Sequence, residues 1–502
     1  MIKFIFTTFF IVNILFANEL RFDTSSRTRF DFQKNTLSHS IINDLRDEDE
    51  LLNYIQNTMQ THLIPGLSIA IVKNDRIVWE KQLGYADISE NIITDNNTLF
   101  ILSSISKTIT ATALMKLYEE NYFNLDDIIN DYLPFDITNP SYPLTNITFR
   151  MLLTHTSSIR DNWNVMPYYD GDSDLELIYY LQEYFTYNGE FHNESLNFTD
   201  SMPGTNYQYS NIGVALIGLL VEQISNQEFN EFCNQNIFEP LEMNNTFWFL
   251  SEIENEDQIA TPYHFNGENG ENCYQIGCGV YNQNNPCQCD PLCIDFDDCC
   301  IDYDGICGEN GTGADPENLN PQEHYGYSDY PSGQLRTSSN NLAKFVSMFM
   351  NDGLYNGQRI LNSETIQLIK TVHFPDINST QGLVWYYKNQ NARTLFGHNG
   401  GDLGSATEMF LSLDDSIGII LLTNSNNYNG MIQIENTLFE FAEQNSFIIL
   451  GDLNSDNLIN VLDVILIVSL ILDQNFENLA DLNSDNIVDI LDIILIINII
   501  LN

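Results

Sequence analysis

The sequence predicts a mixed α/β (α+β) chain, and three observations carry that prediction. Asp47 to His62 repeats its apolar residues Leu51, Leu52, Ile55 and Met59 at helical spacing. Pro65-Gly66 stops that helix, and Leu67 to Tyr85 reads as two strands, Ser-Ile-Ala-Ile-Val and Arg-Ile-Val-Trp-Glu, turning at Asn74-Asp75. Phe100 to Glu119 returns to helical spacing, and the apolar run Ile417 to Thr423 supplies a further strand. At 502 residues there is room for one large domain with accessories, or for two to three domains.

Composition narrows the partners. With 69 acidic residues against 19 basic ones and a net charge of −50, the chain is unsuited to nucleic acid or an anionic membrane surface. The charge reads instead as a solvated acidic surface. Residues 1–17 combine a single positive charge, an apolar middle and a small last residue, Ala17, which is the pattern of a secretory signal; 18–40 read as a polar linker. Nine cysteines suit an oxidising, exported context, so a secreted or cell-surface-associated protein is expected.

Three short motifs carry chemistry. Ser104 and Lys107 form an S-x-x-K pair, and a spacing of three puts both on one helix face, where the amine can help take the hydroxyl proton. Ser103 and Ser106 have no lysine three residues on. Further along, Tyr209 and Asn211 stand between a Pro-Gly turn at 203–204 and an apolar helix from Val214 to Ile224. A tyrosine held beside a lysine ionises more readily and can act as a general base. The third motif, Phe396 to Leu411, brings His398, Gly400 and Gly401 ahead of the Ile417 strand; its glycines permit close approach of a substrate to backbone N–H groups. His155, in Leu153-Thr-His-Thr-Ser157, ends a helical pattern and reads as a structural hydrogen-bonder rather than a catalytic group.

Together these motifs resemble the serine β-lactamase-like superfamily, which includes class C β-lactamases, DD-peptidases, D-aminopeptidases and related esterases. Residues 41–446, less an insert, are covered, and Pro65-Gly66, Leu153 to Ser157 and Pro331 to Ser338 look like the same family. The resemblance implies an antiparallel sheet flanked by helices beside a mostly helical subdomain, with the active site between them. It also implies that Ser104 is acylated while Lys107 and Tyr209 move protons. Asn211 would orient the substrate amide or the lysine, and the N–H groups of Ser104 and Gly401 would form the oxyanion hole, with no catalytic cofactor. One departure bears on substrate. The third motif usually starts with lysine in β-lactamases and DD-peptidases, and here it starts with His398, largely neutral near pH 7. That shifts the expectation towards carboxylesters and D-amino-acid amides or peptides.

Eight cysteines, Cys273, Cys278, Cys287, Cys289, Cys293, Cys299, Cys300 and Cys307, crowd into one stretch, leaving Cys233 outside as a buried free thiol. An even count in a core-poor exported segment implies disulfides, with the connectivity open; a zinc cluster is the competing reading. The spacings from Cys287 to Cys307 resemble a somatomedin B domain, here an insert over 271–309, which implies protein docking. A stapled loop that shapes the cleft is the alternative.

The tail, 450–502, repeats itself at a separation of 29. Asp452, Asn454, Asp456, Leu458, Asn460 and Asp463 in the first copy, and Asp481, Asn483, Asp485, Ile487, Asp489 and Asp492 in the second, stand at the ligand positions of a calcium loop. Leu458 and Ile487 would each give a carbonyl, and Asn457 and Asn486 take the sharp-turn position. Two such half-EF-hands, each leading into an apolar helix, resemble a type I dockerin. That implies two structural Ca²⁺ ions and a cohesin-like or cell-surface partner; a calcium-folded cap or stalk is the alternative. Two functional classes follow for the whole chain: a secreted serine hydrolase acting on a small ester or peptide, with β-lactamase or DD-carboxypeptidase activity as the variant, or a catalytically idle adhesion or scaffold protein working through its accessory modules.

Overall fold

Why the strands stack as they do follows from their alternation. The computed structural model describes residues 48–265, 319–445, 451–454, 459–483, 485 and 487–501, with 273, 278, 289, 293, 299–300 and 303–307 from the cysteine-rich stretch. The expected signal and linker, Cys287, and the loop residues Asp456, Asn457, Leu458 and Asn486 lie outside the described residues.

In chain order the elements that build the site are α1 (Glu48–Thr61), β1 (Gly66–Lys73), β2 (Arg76–Asp87), β3 (Ile92–Ile93), α2 (Ser106–Glu119), α3 (Leu177–Phe185), α4 (Asn211–Ser225) and α5 (Ser339–Met350). They are followed by β4 (Tyr386–Gln390), β5 (Arg393–Asp402), β6 (Ser405–Ser412), β7 (Ile417–Thr423) and α6 (Tyr428–Gln444), then by α7 (Val461–Asp473) and α8 (Ile490–Leu501) in the tail. The seven strands form one sheet in the order β4-β5-β6-β7-β1-β2-β3, with every neighbouring pair antiparallel.

Central strand β1 is apolar on both faces because both are covered. Leu67, Ile69 and Ile71 join Ile417, Ile419 and Leu421 of β7 in a core closed by Leu51 and Ile55 of α1 and Ile434 and Leu438 of α6. Ala70 and Val72, with Ile420 and Leu422, enter the larger core on the opposite face beneath α5 and the helical region built on α2, α3 and α4. Period-two alternation therefore assigns each side chain to one of two cores. Truncating Ile69 or Ile419 to Ala would cost about 2–5 kcal/mol. The hairpin joining β1 to β2 turns where expected, with φ +50° at Asn74 and +63° at Asp75, the paired left-handed conformation of a tight hairpin turn.

The insert is attached at a narrow base. Tyr263–Phe265 pairs antiparallel with Leu319–Pro321, so the chain leaves and returns at one place. Disulfides link Cys273 to Cys289, Cys278 to Cys307 and Cys293 to Cys299, and Cys300 is also oxidised. These bonds remove the thiolates that the zinc reading requires among the described cysteines. Cys233 is a buried free thiol. In the tail, α7 and α8 close a small core of Ile459, Ile467, Ala480 and Ile496, and no helix among the described residues is long and apolar enough to cross a membrane.

Candidate active site

Ser104 sits in a single 3₁₀ turn, Ser103–Ile105, that feeds directly into α2. The turn is fastened to the sheet: Thr407 Oγ1 donates to the Leu102 carbonyl at 2.9 Å, Ser405 Oγ donates to the Ile101 carbonyl at 3.1 Å, and Ser103 Oγ donates to Ser405 Oγ at 3.1 Å. Ser103 itself takes φ +50°, a left-handed value that non-glycine residues adopt rarely and that here sets the sharp bend before Ser104. The nucleophile candidate is therefore held at the seam between sheet and helical region.

Two groups converge on Ser104 Oγ. Lys107 Nζ lies 3.0 Å away and Tyr209 Oη 2.9 Å away. Lys107 is fully buried, donates to the Ser332 carbonyl at 2.5 Å, and lies 5.1 Å from the centre of the Tyr209 ring. A hydroxyl flanked by an amine and a phenol is poised for nucleophilic attack, with either neighbour able to carry its proton. His398, on β5, is buried beside this group, its ring centre 6.3 Å from that of Tyr209. Burial, then the neighbouring Lys107 charge, pushes its pKa down to about 3, outweighing the hydrogen bond of Nδ1 to the Asn399 carbonyl.

The role of Gly400 differs from the expected one. A Cβ there would lie 2.2 Å from the Leu102 carbonyl oxygen and 3.0 Å from Ser103 Cβ, so the close approach is made by the turn carrying Ser104 rather than by a substrate. Behind β5, Asn399 Oδ1 accepts from Tyr386 Oη at 2.8 Å, its Nδ2 donates to Tyr428 Oη at 2.6 Å, and Tyr428 Oη donates to the Gly400 carbonyl at 2.9 Å. Deeper still, Lys388 bridges Glu408 at 3.0 Å and Glu435 at 2.8 Å. Burial pushes Glu408 up to about 8, against the pull of Lys388 and with the repulsion of Glu435, the two carboxylates sharing one ammonium.

The sequence reading missed the residue that fixes the second motif. Asp161 accepts hydrogen bonds from Ser210 Oγ, Asn211 N, Asn211 Nδ2 and Ile212 N at 2.9 to 3.0 Å. The Asn211 amide nitrogen is thus directed at Asp161. His155 is structural: its Nδ1 accepts from Ser210 N at 3.3 Å, its carbonyl accepts from Gln208 N at 2.7 Å, and its ring lies against Tyr209 with centres 4.6 Å apart. Ser332, inside the noted Pro331 to Ser338 stretch, contributes a backbone carbonyl, which has no side-chain signature.

Among the described residues, the predicted ligands of the tail make matching hydrogen bonds in its two repeats. Asp492 is fully buried and accepts from Leu482 N at 2.8 Å, Asn483 N at 3.3 Å and Asp489 N at 2.8 Å; Asp463 accepts in the same way from Leu453 N, Asn454 N and Asn460 N at 2.9, 3.3 and 2.8 Å. Asp481 and Asn483 turn their side-chain oxygens onto Asp485 N at 3.1 and 3.0 Å. Asn460 and Asp489 cap the two helices through Leu462 N and Leu491 N. Ile487 N donates to Asp485 Oδ1 at 2.8 Å. Asp452 and Asp481 are buried at the two loop starts. The donors are all oxygens, and no lysine or arginine follows Arg393.

The chain is 26% identical over 201 residues to the protein flp of Staphylococcus aureus, covering 40% of this chain and 38% of that one. It is 29% identical over 187 residues to penicillin-binding protein 4* of Bacillus subtilis, covering 37% and 38%. The matched region spans well under half the length of either relative. In fold, it resembles D-amino acid amidase from Ochrobactrum anthropi SV3, with a TM-score of 0.55, 19% identity and coverage of 78% of this chain and 98% of that one. D-alanine carboxypeptidase AmpC from Burkholderia cenocepacia gives 0.53, 17%, 78% and 99%. The sequence model of the Beta-lactamase family matches residues 51–438, more than half of the chain and all of the sheet and helical region that meet at Ser104, and on that ground the chain belongs to the Beta-lactamase family of serine hydrolases.

Proposed function

We propose that this protein is a secreted hydrolase that opens a carboxylester or a D-amino-acid amide or peptide through an acyl-enzyme on Ser104. The observation that carries the reading is the convergence of Lys107 Nζ and Tyr209 Oη on Ser104 Oγ, at 3.0 and 2.9 Å. In the first half-reaction Ser104 Oγ bonds to the substrate carbonyl carbon and its proton passes to Tyr209, which receives it as a phenolate held beside the Lys107 ammonium. The N–H groups of Ser104 and Gly401 would receive the oxyanion. The tetrahedral centre then collapses, the bond to the leaving oxygen or nitrogen breaks, and Tyr209 returns the proton to that group. Water, deprotonated from the Tyr209 side, hydrolyses the ester and regenerates Ser104.

The substrate preference rests on His398. A buried neutral imidazole offers no fixed positive charge to a substrate carboxylate, which favours neutral esters and amides over penicillins and cell-wall stem peptides. The test is intact-mass analysis after exposure to a fluorophosphonate, beside Ser104→Ala. One adduct in the parent alone is the expected result; an unlabelled parent would remove the catalytic reading and turn attention to an adhesion role for the accessory modules.

For the tail we propose two Ca²⁺ ions, held by Asp452, Asn454, Asp456, the Leu458 carbonyl, Asn460 and Asp463, and by Asp481, Asn483, Asp485, the Ile487 carbonyl, Asp489 and Asp492. Buried carboxylates in two all-oxygen loops support this, since such charge requires a cation nearby. The exposed apolar residues of α7 and α8, such as Leu462, Ile465, Leu491 and Ile494, suit a cohesin-like partner, and the disulfide insert suits docking to another protein.

A further inference from the structure

We propose that Asp161 is a positioning residue for Tyr209, holding the general base at its distance from Ser104 by clamping the first turn of α4; this rests on the Ser104 hydrolase reading. A carboxylate buried to 8% exposure is costly unless its oxygens are filled. Asp161 fills both: Oδ1 accepts from Ser210 Oγ and Ile212 N, and Oδ2 accepts from both nitrogens of Asn211. All four partners are donors, so the geometry is that of an ionised carboxylate at a helix N-terminus, where the dipole favours negative charge.

This clamp is more than a helix cap. Ser210 already caps α4, accepting from Gly213 N at 2.9 Å. Asp161 instead fixes the cap residue itself, together with the two residues after it, and Tyr209 is joined directly to that cap. On the other side, the His155 carbonyl holds Gln208 N at 2.7 Å while the His155 ring covers the phenol. The segment from His155 to Asp161 therefore grips Tyr209 from both backbone directions. Its own placement is set by Tyr184 on α3, whose hydroxyl donates to the Arg160 carbonyl at 2.6 Å and accepts from Asn162 N at 2.9 Å.

Burial pushes the Asp161 carboxyl up and nearby Asp329 adds repulsion, while the four hydrogen bonds from Ser210, Asn211 and Ile212 favour the ionised form. Asp329 in turn accepts from Ser332 Oγ at 2.8 Å, and the Ser332 carbonyl is the one that receives Lys107. Two buried carboxylates thus brace the two proton carriers: Asp161 the phenol, Asp329 the acceptor loop of the amine. Neither needs to touch substrate for its loss to be felt in the acylation step.

In the full-length protein, Asp161→Asn points an amide N–H at two existing donors. Fluorophosphonate labelling of Ser104, and kcat on an activated ester, should both fall about 100-fold while KM stays within about threefold, the cost of a general base moved by roughly 1 Å. Asp161→Glu keeps the charge but moves it by a methylene, and should lose about tenfold with the fold intact. The decisive comparison is the cycle with Tyr209→Phe. Because Asp161 acts through the phenol, Asp161→Glu should cost less than about threefold in that background, whereas a merely structural role gives additive losses. Additive losses, or single variants labelled as fast as the parent, would overturn the proposal. A parent that takes no label would remove the hydrolase reading instead. Asp161 is then judged by the Tyr209 phenol titration, read as parent minus Tyr209→Phe ultraviolet absorbance: a shift in Asp161→Glu supports the clamp and an unchanged curve refutes it.

Discussion

His398 Nδ1 lies 2.5 Å from the carbonyl oxygen of Asn399, its own neighbour in β5, and that contact decides which ring nitrogen carries the proton. A carbonyl can only accept, so Nδ1 is the N–H and Nε2 presents a lone pair. Nε2 is buried and has no hydrogen-bond partner among the described residues. With a pKa near 3, pushed down first by burial and then by Lys107, the ring stays neutral at any ordinary pH. Nitrogen-15 spectra of histidine-labelled protein should show one ring locked in the Nδ1–H tautomer from pH 5 to 8 (about one and a half units each side of the usual histidine value). A ring that titrates in that range cannot be His398 in this state.

The same contact sets the outcome of His398→Lys. A lysine there restores a positive charge to the start of the third motif, next to Lys107. We expect kcat/KM for a substrate carrying a free carboxylate to rise by about tenfold relative to a matched neutral ester, a shift of ~1.4 kcal/mol in discrimination. An unchanged ratio would mean that the residue does not face the substrate's charged end.

Gly400→Ala addresses the seam between the sheet and the nucleophile turn. The new methyl would lie 2.2 Å from the Leu102 carbonyl and 2.3 Å from Thr407 Oγ1, both of which hold that turn in place. Relief requires the turn to move, at a cost of about 1–3 kcal/mol in stability. Labelling of Ser104 should fall by about 100-fold, because displacing a reacting group by ~1 Å has that effect. A variant with parent-like labelling and thermal midpoint would show that the turn has slack the geometry does not suggest.

Legibility in the sequence followed how local the cause was. The i, i+3 spacing of Ser104 and Lys107 is contained in four residues, and the apolar run of β1 in eight, so both were readable. Asp161 lies 49 residues before Ser210, and only the fold brings them together. Nothing near Asp161 distinguishes it from the other acidic residues of a strongly acidic chain. Ser332 acts through its carbonyl, which every residue has. Gly400 was recognised as a place of close approach, but which group approaches is tertiary information: it is Leu102, in a turn reached across the sheet. Likewise Lys388, Glu408 and Glu435 come from two strands and a helix, and their spacing in sequence has no periodic signature.

That buried group gives a pH prediction. Glu408 is raised to about 8 in the folded state against 4.5 for an ordinary glutamate, first by burial and further by Glu435, despite Lys388. The folded state therefore holds a proton that the unfolded state releases, and stability falls as pH rises from 4.5 through 8. His398, His62 and His324, lowered by burial to about 3, 4 and 4, act in the opposite sense, since the unfolded chain binds protons first and stability falls as pH drops below 6.5. Urea unfolding of Glu408→Gln should lose less stability than the parent between pH 6 and 9, by about 3 kcal/mol at most, while both share the acid loss. Parallel parent and variant curves on the alkaline side would show that Glu408 is ionised throughout.

Chelation tests the two proposed Ca²⁺ sites of the tail apart from the hydrolase. Asp463 and Asp492 are fully buried, and the loops they close bring further carboxylates together with no lysine or arginine after Arg393 to balance them. Without a cation those charges repel one another, and the small core of Ile459, Ile467, Ala480 and Ile496 offers little to resist them. Removing the proposed ion would therefore remove folding free energy of the module itself. In the full-length protein, calorimetry with calcium should show a tail transition that chelator abolishes and added Ca²⁺ restores. Ser104 labelling should remain within about twofold, since sites more than 7–10 Å apart with no shared partners act independently. A tail transition indifferent to chelator would refute the calcium assignment. A parallel loss of labelling would show instead that the tail supports the catalytic region, and Asp492→Ala should then lower both readouts together.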